Sequence, residues 1–156
     1  PNRGASGVDW GSEDISDVFE LRAMLEGFAA RKAAMRASEA QIEKLFNICK
    51  ELDGVLKLQE SDHLEKFLSL NREFHGAICE ASRSARLTGM ISRLVEQAVL
   101  VRTATQYSYE ELVRSNQFHH EIAKAISNRS GSLAEQLMSA HIIAASQVYR
   151  EGLLGR

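Results

Sequence analysis

The stretch Leu133–Arg150, LAEQLMSAHIIAASQVYR, decides how the chain is read. Its apolar positions Leu133, Leu137, Ala144 and Val148 return at intervals of four and seven, the period of an α-helix that buries one face. His141 stands at the centre of that line. Just upstream, a stretch from Glu110 to Ser127 repeats the pattern through Leu112, Ser115, His119, Ile122 and Ile126. This takes His119 inward and turns the adjacent His120 about 100° away. The NRSGS segment at 128–132 is a turn between the two helices.

Four more helices are expected further upstream. The first, Asp17 to about Ala37, carries Val18, Leu21, Leu25, Phe28 and Ala29 on its apolar side. Ser38-Glu39-Ala40-Gln41 forms a capping box that opens a second helix through Ile42, Leu45, Leu52 and Leu56, with Gly54 weakening its last turn. Ser61-Asp62 caps a third helix to about Ser82, with Leu64, Phe67, Leu68, Phe74 and Ile78 inward. The fourth and most apolar runs from about Ala85 to Thr105, where Tyr107-Ser108 breaks it. The only proline among 156 residues is Pro1, so no later position forbids helix by ring geometry. Helices of about twenty residues, each ~30 Å long and joined by short connections, predict an all-α fold, an antiparallel bundle of six to seven helices.

Composition narrows the function. A net charge of -2 lacks the basic excess of a surface that grips phosphate backbone, so any DNA contact belongs to another part of the protein. Cys49 and Cys79 lie in apolar helical contexts and read as buried thiols in a reducing cytoplasm. No run approaches the ~20 apolar residues of a membrane span, and no leader pattern is seen. Residues 1–14 are polar, glycine-rich and aperiodic, as in a linker, and Pro1 reads as an arbitrary start. Residues 15–156 form the folded domain.

Polar residues on apolar lines point to a site. On the third helix Asn71 and His75 continue the line Leu64, Leu68, Asn71, His75, Ile78. With His119 and His141, three helices each turn one imidazole inward. A buried imidazole is either a hydrogen-bonded core residue or a ligand, and several converging neutral imidazoles with an oxygen donor suit Zn, Ni, Mn or Fe. His63, beside Asp62, reads as a solvated helix end. Arg22 sits among Val18, Leu21 and Leu25, and Arg102 continues Ile91, Val95 and Ala98. Each arginine is either half of an internal ion pair, with Glu26 one turn from Arg22, or a fork for a ligand carboxylate.

At these residues the chain resembles the FadR C-terminal (FCD) ligand-binding domain of GntR-family bacterial transcription regulators, over nearly its whole length. DVFELRAMLEGFAARKAA is similar to that domain's opening helix, NREFHGAICEAS to its Asp-x-x-x-His segment, and HHEIAKAI with AEQLMSAHI to its last two ligand helices. The separation of 141 − 119 = 22 residues fits the family's last two ligand histidines. The resemblance implies one divalent transition metal held by His75, His119 and His141. Asn71 stands where the family has an aspartate, offering an amide oxygen without charge. It further implies that Arg22 and Arg102 bind a small organic acid effector, that the protein is a homodimer, and that DNA is bound only through a winged helix-turn-helix domain, whose end PNRGASGV resembles.

Two alternatives stay in view. One is a metal-free effector domain whose histidines bind the ligand directly. The other is a helical-bundle metalloenzyme, which needs several inward carboxylates and paired Glu-x-x-His motifs. The sequence has no such pair, and Glu73 and Glu121 point off the inward faces, so no catalysis is expected.

Overall fold

The computed structural model describes residues 11–95 and 107–155, and these form six helices with no strand among the described residues. They are α1 (Ser12–Arg36), α2 (Glu39–Leu58), α3 (His63–Ala81), α4 (Ala85–Leu94), α5 (Tyr109–Ser127) and α6 (Gly131–Leu154). The all-α reading therefore holds. Helix α1 lies along α6 in the most extensive helix pair, α5 bridges α6 and α2, and α2 packs on α3. One core, with Phe74, Leu45, Leu52, Ile78, Ile122, Ile126, Met138 and Ile142 fully enclosed, runs through all of these.

The expected helix starts hold where a side chain caps them. Ser38 accepts from the Gln41 N–H while the Gln41 side chain returns to the Ser38 N–H, and Ser108 and Glu111 make the same reciprocal pair at α5. Each pair satisfies two donors that an α-helix leaves orphaned. The Asp62 side chain makes no cap bond to α3; it pairs with Lys66 instead. Helix α1 begins five residues before Asp17, at Ser12. Glu13 and Asp14 suit its positive N-terminus, and Ile15 extends the buried stripe.

The inward face of α1 is rotated from the expected one. Leu21 and Phe28 are each 44 % exposed, and the buried line is Phe19, Arg22, Ala23, Glu26, Ala29, Ala30, Ala33 and Ala34. Small residues face α6 because the two backbones come close: a Cβ at Gly27 would lie 3.1 Å from the Glu135 carbonyl oxygen. Apolar bulk alone misplaced that face. The same holds on α6, where Leu133 is exposed and Ala134, Met138, His141 and Ile142 are buried. On α3, Leu64 and Leu68 are half-buried, and Phe67, Phe74, Ala77 and Ile78 form the enclosed line.

Helix α4 is shorter than expected. It closes at Leu94, where β-branched Val95 takes extended angles (φ -85°, ψ 96°); the rest of the expected stretch to Thr105 falls outside the described residues. The Arg102 site and the apolar second half of that helix lie outside the described residues, as does PNRGASGV. The 128–130 turn places Arg129 at φ 58°, from where its guanidinium donates to the Ala34 and Ala37 carbonyl oxygens at the end of α1. This ties the α5–α6 turn to the α1–α6 pair.

Candidate metal centre

Three helices meet at the histidines. Helix α3 supplies His75, α5 supplies His119 and α6 supplies His141. His119 is wholly buried, His141 is 6 % exposed and His75 is half-buried. Phe74 packs on the His119 ring with centroids 4.4 Å apart, and Phe118 lies beside His141. Phe74, itself fully enclosed, seals the His119 side of the cluster.

The imidazoles converge through Nε2. The His119 and His141 Nε2 atoms are 3.2 Å apart, those of His141 and His75 are 3.3 Å apart, and one nitrogen from each ring lies within 4.8 Å of the others. Nitrogens bound ~2.0–2.1 Å from a tetrahedral ion stand about 3.3 Å from one another. The two short spacings match that value, and the third, His75 to His119, lies within 4.8 Å, so the donor set can close on a metal ion by movement of the rings. Asn71, one turn before His75 on α3, lines the same two clefts as His75 and Arg22, and so stands at the edge of the cluster.

The electrostatics favour neutral rings. Burial, reinforced by the neighbouring imidazoles, pushes His119 and His141 well below the ordinary histidine range. A neutral imidazole keeps the lone pair that a metal requires. The thiols of Cys49 and Cys79 are free and are raised to about 12, mainly by burial, so they are poor ligands and poor nucleophiles.

Around the cluster lie partners that the sequence did not announce. The His75 Nδ1–H donates to Glu26 Oε1 at 2.8 Å, and the other oxygen of Glu26 accepts from Arg22 Nε at 2.8 Å. Burial raises the Glu26 carboxyl, but Arg22 and His75 more than offset this and hold it at about 2. Arg22 is thus the ion-paired arginine of the two readings, although it also lines both clefts beside His75. On the opposite side the His119 Nδ1–H donates to Asn116 Oδ1 at 3.2 Å, and Asn116 Nδ2 donates to the Cys49 carbonyl and to Asp53 Oδ1. Asn116 precedes His119 by three residues, a same-face spacing that could have singled it out. Glu26 had been visible only as a partner for Arg22.

The other histidines take no part. His120 turns outward and pairs with Asp53, and the His63 Nδ1–H donates to the Glu60 carbonyl. Glu73 and Glu121 are exposed, and no carboxylate joins the metal-like cluster among the described residues. Glu26, which meets the Nδ1 edge of His75, is the one inward carboxylate beside the cluster among the described residues, where a dinuclear enzyme needs several.

Three clefts reach the cluster. The roomiest, about 220 Å³, runs between α3 and α4 past Arg22, Asn71, His75, Cys79, Thr88 and Ile91. A tighter one opens between Phe19, Phe67, Tyr107 and Ile142, and a third passes Arg114, Ser115 and Phe118 to His141.

The family model described as the FCD domain matches residues 17–144, which takes in Arg22 and all three histidines. The chain belongs to the FCD domain family. Curated relatives of this FCD domain are the Nta operon transcriptional regulator of Aminobacter aminovorans, 27 % identical over 130 residues, and the HTH-type transcriptional regulator LutR of Bacillus subtilis (strain 168), 28 % identical over 135 residues. The alignments cover 82 % and 83 % of the chain but 58 % and 59 % of those proteins, so the chain spans under two thirds of their length. Among solved structures, Streptococcus agalactiae GntR superposes with a TM-score of 0.70 at 26 % identity, covering 92 % of this chain and 63 % of that one. E. coli McbR/YncC superposes with a TM-score of 0.74 at 18 % identity over 91 % of this chain and 67 % of that one, a likeness of fold. The relatives are transcription regulators, and this FCD domain is grouped with them rather than with enzymes.

Proposed function

We propose that this FCD domain is the effector-binding, metal-containing C-terminal part of a cytoplasmic GntR-family regulator that senses a small carboxylate metabolite and so controls DNA binding by a separate winged-helix domain. The observation that carries the reading is the convergence of the His75, His119 and His141 Nε2 atoms at the spacing of metal ligands. His75, His119 and His141 hold one Zn, Ni, Mn or Fe ion, with Asn71 as an oxygen donor. The ion supplies a Lewis-acidic attachment point for an effector oxygen.

Charge balance supports an anionic effector. Arg22 and Glu26 cancel, burial keeps His119 and His141 neutral, and Asn71 carries no charge where the family resemblance has an aspartate. A divalent ion then leaves two positive charges at a largely buried site, which a carboxylate relieves. Arg22 keeps guanidinium N–H groups beyond its Nε–Glu26 bond and lines the clefts an effector would enter; Arg102 is proposed for the same role. The effector controls DNA only by binding one conformational state more tightly than the other.

A homodimer is part of this reading. Leu21, Met24, Phe28 and Met35 lie at heptad-like spacing on the outer face of α1, and all are exposed. No helix among the described residues is long and apolar enough to cross a membrane.

A second reading, a metal-free effector domain of the same family, is favoured by Asn71 alone. Calorimetry with a panel of small mono- and dicarboxylates separates the two. Metal-loaded protein is expected to bind one of them and chelator-stripped protein to lose it. Equal binding by both forms supports the metal-free reading, and no binding by either overturns the carboxylate effector.

A further inference from the structure

We propose that Glu26 and Asn116 are positioning residues that lock His75 and His119 as Nδ1–H tautomers, so that both rings present an Nε2 lone pair to one point before any ligand arrives. The proposal rests on the metal reading of the histidine cluster and extends it to two residues that touch no metal.

The locking follows from which atoms can donate. A carboxylate paired with a guanidinium only accepts hydrogen bonds. Glu26 meets Arg22 through Oε2 at 2.8 Å and His75 Nδ1 through Oε1 at 2.8 Å, so the proton of that second bond sits on His75 Nδ1. A neutral ring with its proton there has a bare Nε2, and in His75 this atom faces His141.

Asn116 reaches the same result without charge. An amide can present either end to a histidine, and its other contacts decide which. Here one end meets two acceptors, the Cys49 carbonyl oxygen at 3.2 Å and Asp53 Oδ1 at 2.7 Å. That end must be the NH2 group. Oδ1 is therefore the end 3.2 Å from His119, and the ring must donate from Nδ1. Asn116 is 1 % exposed, so solvent does not compete for its amide. His119 Nε2 is left bare and directed at His141 Nε2.

The two locks come from different elements. Glu26 is carried by α1, whereas the Asn116 amide is oriented by the backbone and Asp53 of α2. Partners of this kind fix ring orientation in metal sites, and their loss typically lowers metal affinity by about 10–100-fold.

Long-range proton–nitrogen NMR on the metal-stripped 156-residue chain reads each tautomer directly. His75 and His119 are expected as Nδ1–H forms, and an Nε2–H form at either ring overturns its lock. Zn2+ affinity, measured by competition with a chelator, is expected to fall about 10–100-fold in Glu26→Gln, because a glutamine can donate to Nδ1 as well as accept from it, and in Asn116→Leu. Glu26→Asp keeps the accept-only chemistry and is expected to recover part of the loss. Should Glu26→Gln and Asn116→Leu bind Zn2+ within twofold of wild type while His119→Ala does not, the positioning role is overturned and the metal reading stands. Should wild type bind no Zn2+, the metal reading falls, while the tautomers still decide the locking. If Glu26→Gln fails to fold, Asn116→Leu and the wild-type tautomers decide alone.

Discussion

The two sides of the histidine cluster are braced in different ways. On the α1 side, Glu26 and Arg22 form a buried ion pair, with side chains 3 % and 7 % exposed, and this pair receives His75. On the α2 side, a neutral buried amide receives His119 and leads outward through Asp53 to His120, whose own pair is exposed. A charged brace is stiff and costly to break from one end, because the surviving charge is stranded away from water. A neutral brace loses only hydrogen bonds, and its outer end is nearly free to change.

The largest effect is expected on the charged side. Glu26→Ala should cost about 3–5 kcal/mol in urea unfolding by leaving Arg22 buried and unpaired. The double variant Arg22→Met, Glu26→Leu should recover much of that loss. A Glu26→Ala cost below about 1 kcal/mol would break the contrast, since it would show Arg22 reaching water. On the neutral side Asn116→Leu should cost less, about 1–3 kcal/mol, for the orphaned His119 Nδ1–H and the lost bonds to the Cys49 carbonyl and Asp53.

Acid separates the two sides by their pH windows. His119 and His141 are held below the ordinary value of 6.5, so as pH falls below that value the unfolded chain takes protons that the folded chain refuses. Stability of metal-free protein therefore drops with acid from about pH 6.5, by about 1.4 kcal/mol per pH unit for each ring. Glu26, lowered from 4.5 to about 2, stabilises the fold above pH 4.5, and its contribution is lost as pH falls towards 2. A His119→Gln variant should remove about half of the slope in the upper window, leaving the His141 share, and leave the lower window unchanged. An unchanged slope between pH 6.5 and 5 would show that His119 takes up a proton in the folded state. The smallest effect belongs to the rim: His120→Ala should change stability by less than about 1 kcal/mol, because its side chain and that of Asp53 are 38 % and 56 % exposed.

What the sequence disclosed follows from the range of the forces involved. Helix existence, the Ser38–Gln41 capping box and the inward turn of His75, His119 and His141 are local, written in spacings of three and four. The inner face of α1 was hidden because alanines and Gly27, rather than Leu21 and Phe28, make the close approach to α6. The end of α4 was hidden because Val95 continues an apolar run that looks helical. Glu26 and His75 are 49 residues apart, and Asn116 and Asp53 are 63 apart, so no local pattern could join them. The converging histidines were legible and their hydrogen-bond supports were not.

Metal analysis bears most directly on the histidine cluster. Protein purified without chelators, assayed by plasma mass spectrometry beside a His119→Ala, His141→Ala double variant, is expected to carry close to one transition-metal ion per chain, and the variant none. Metal absent from both, even after incubation with Zn2+, Ni2+, Mn2+ and Fe2+, would contradict a metal centre at His75, His119 and His141.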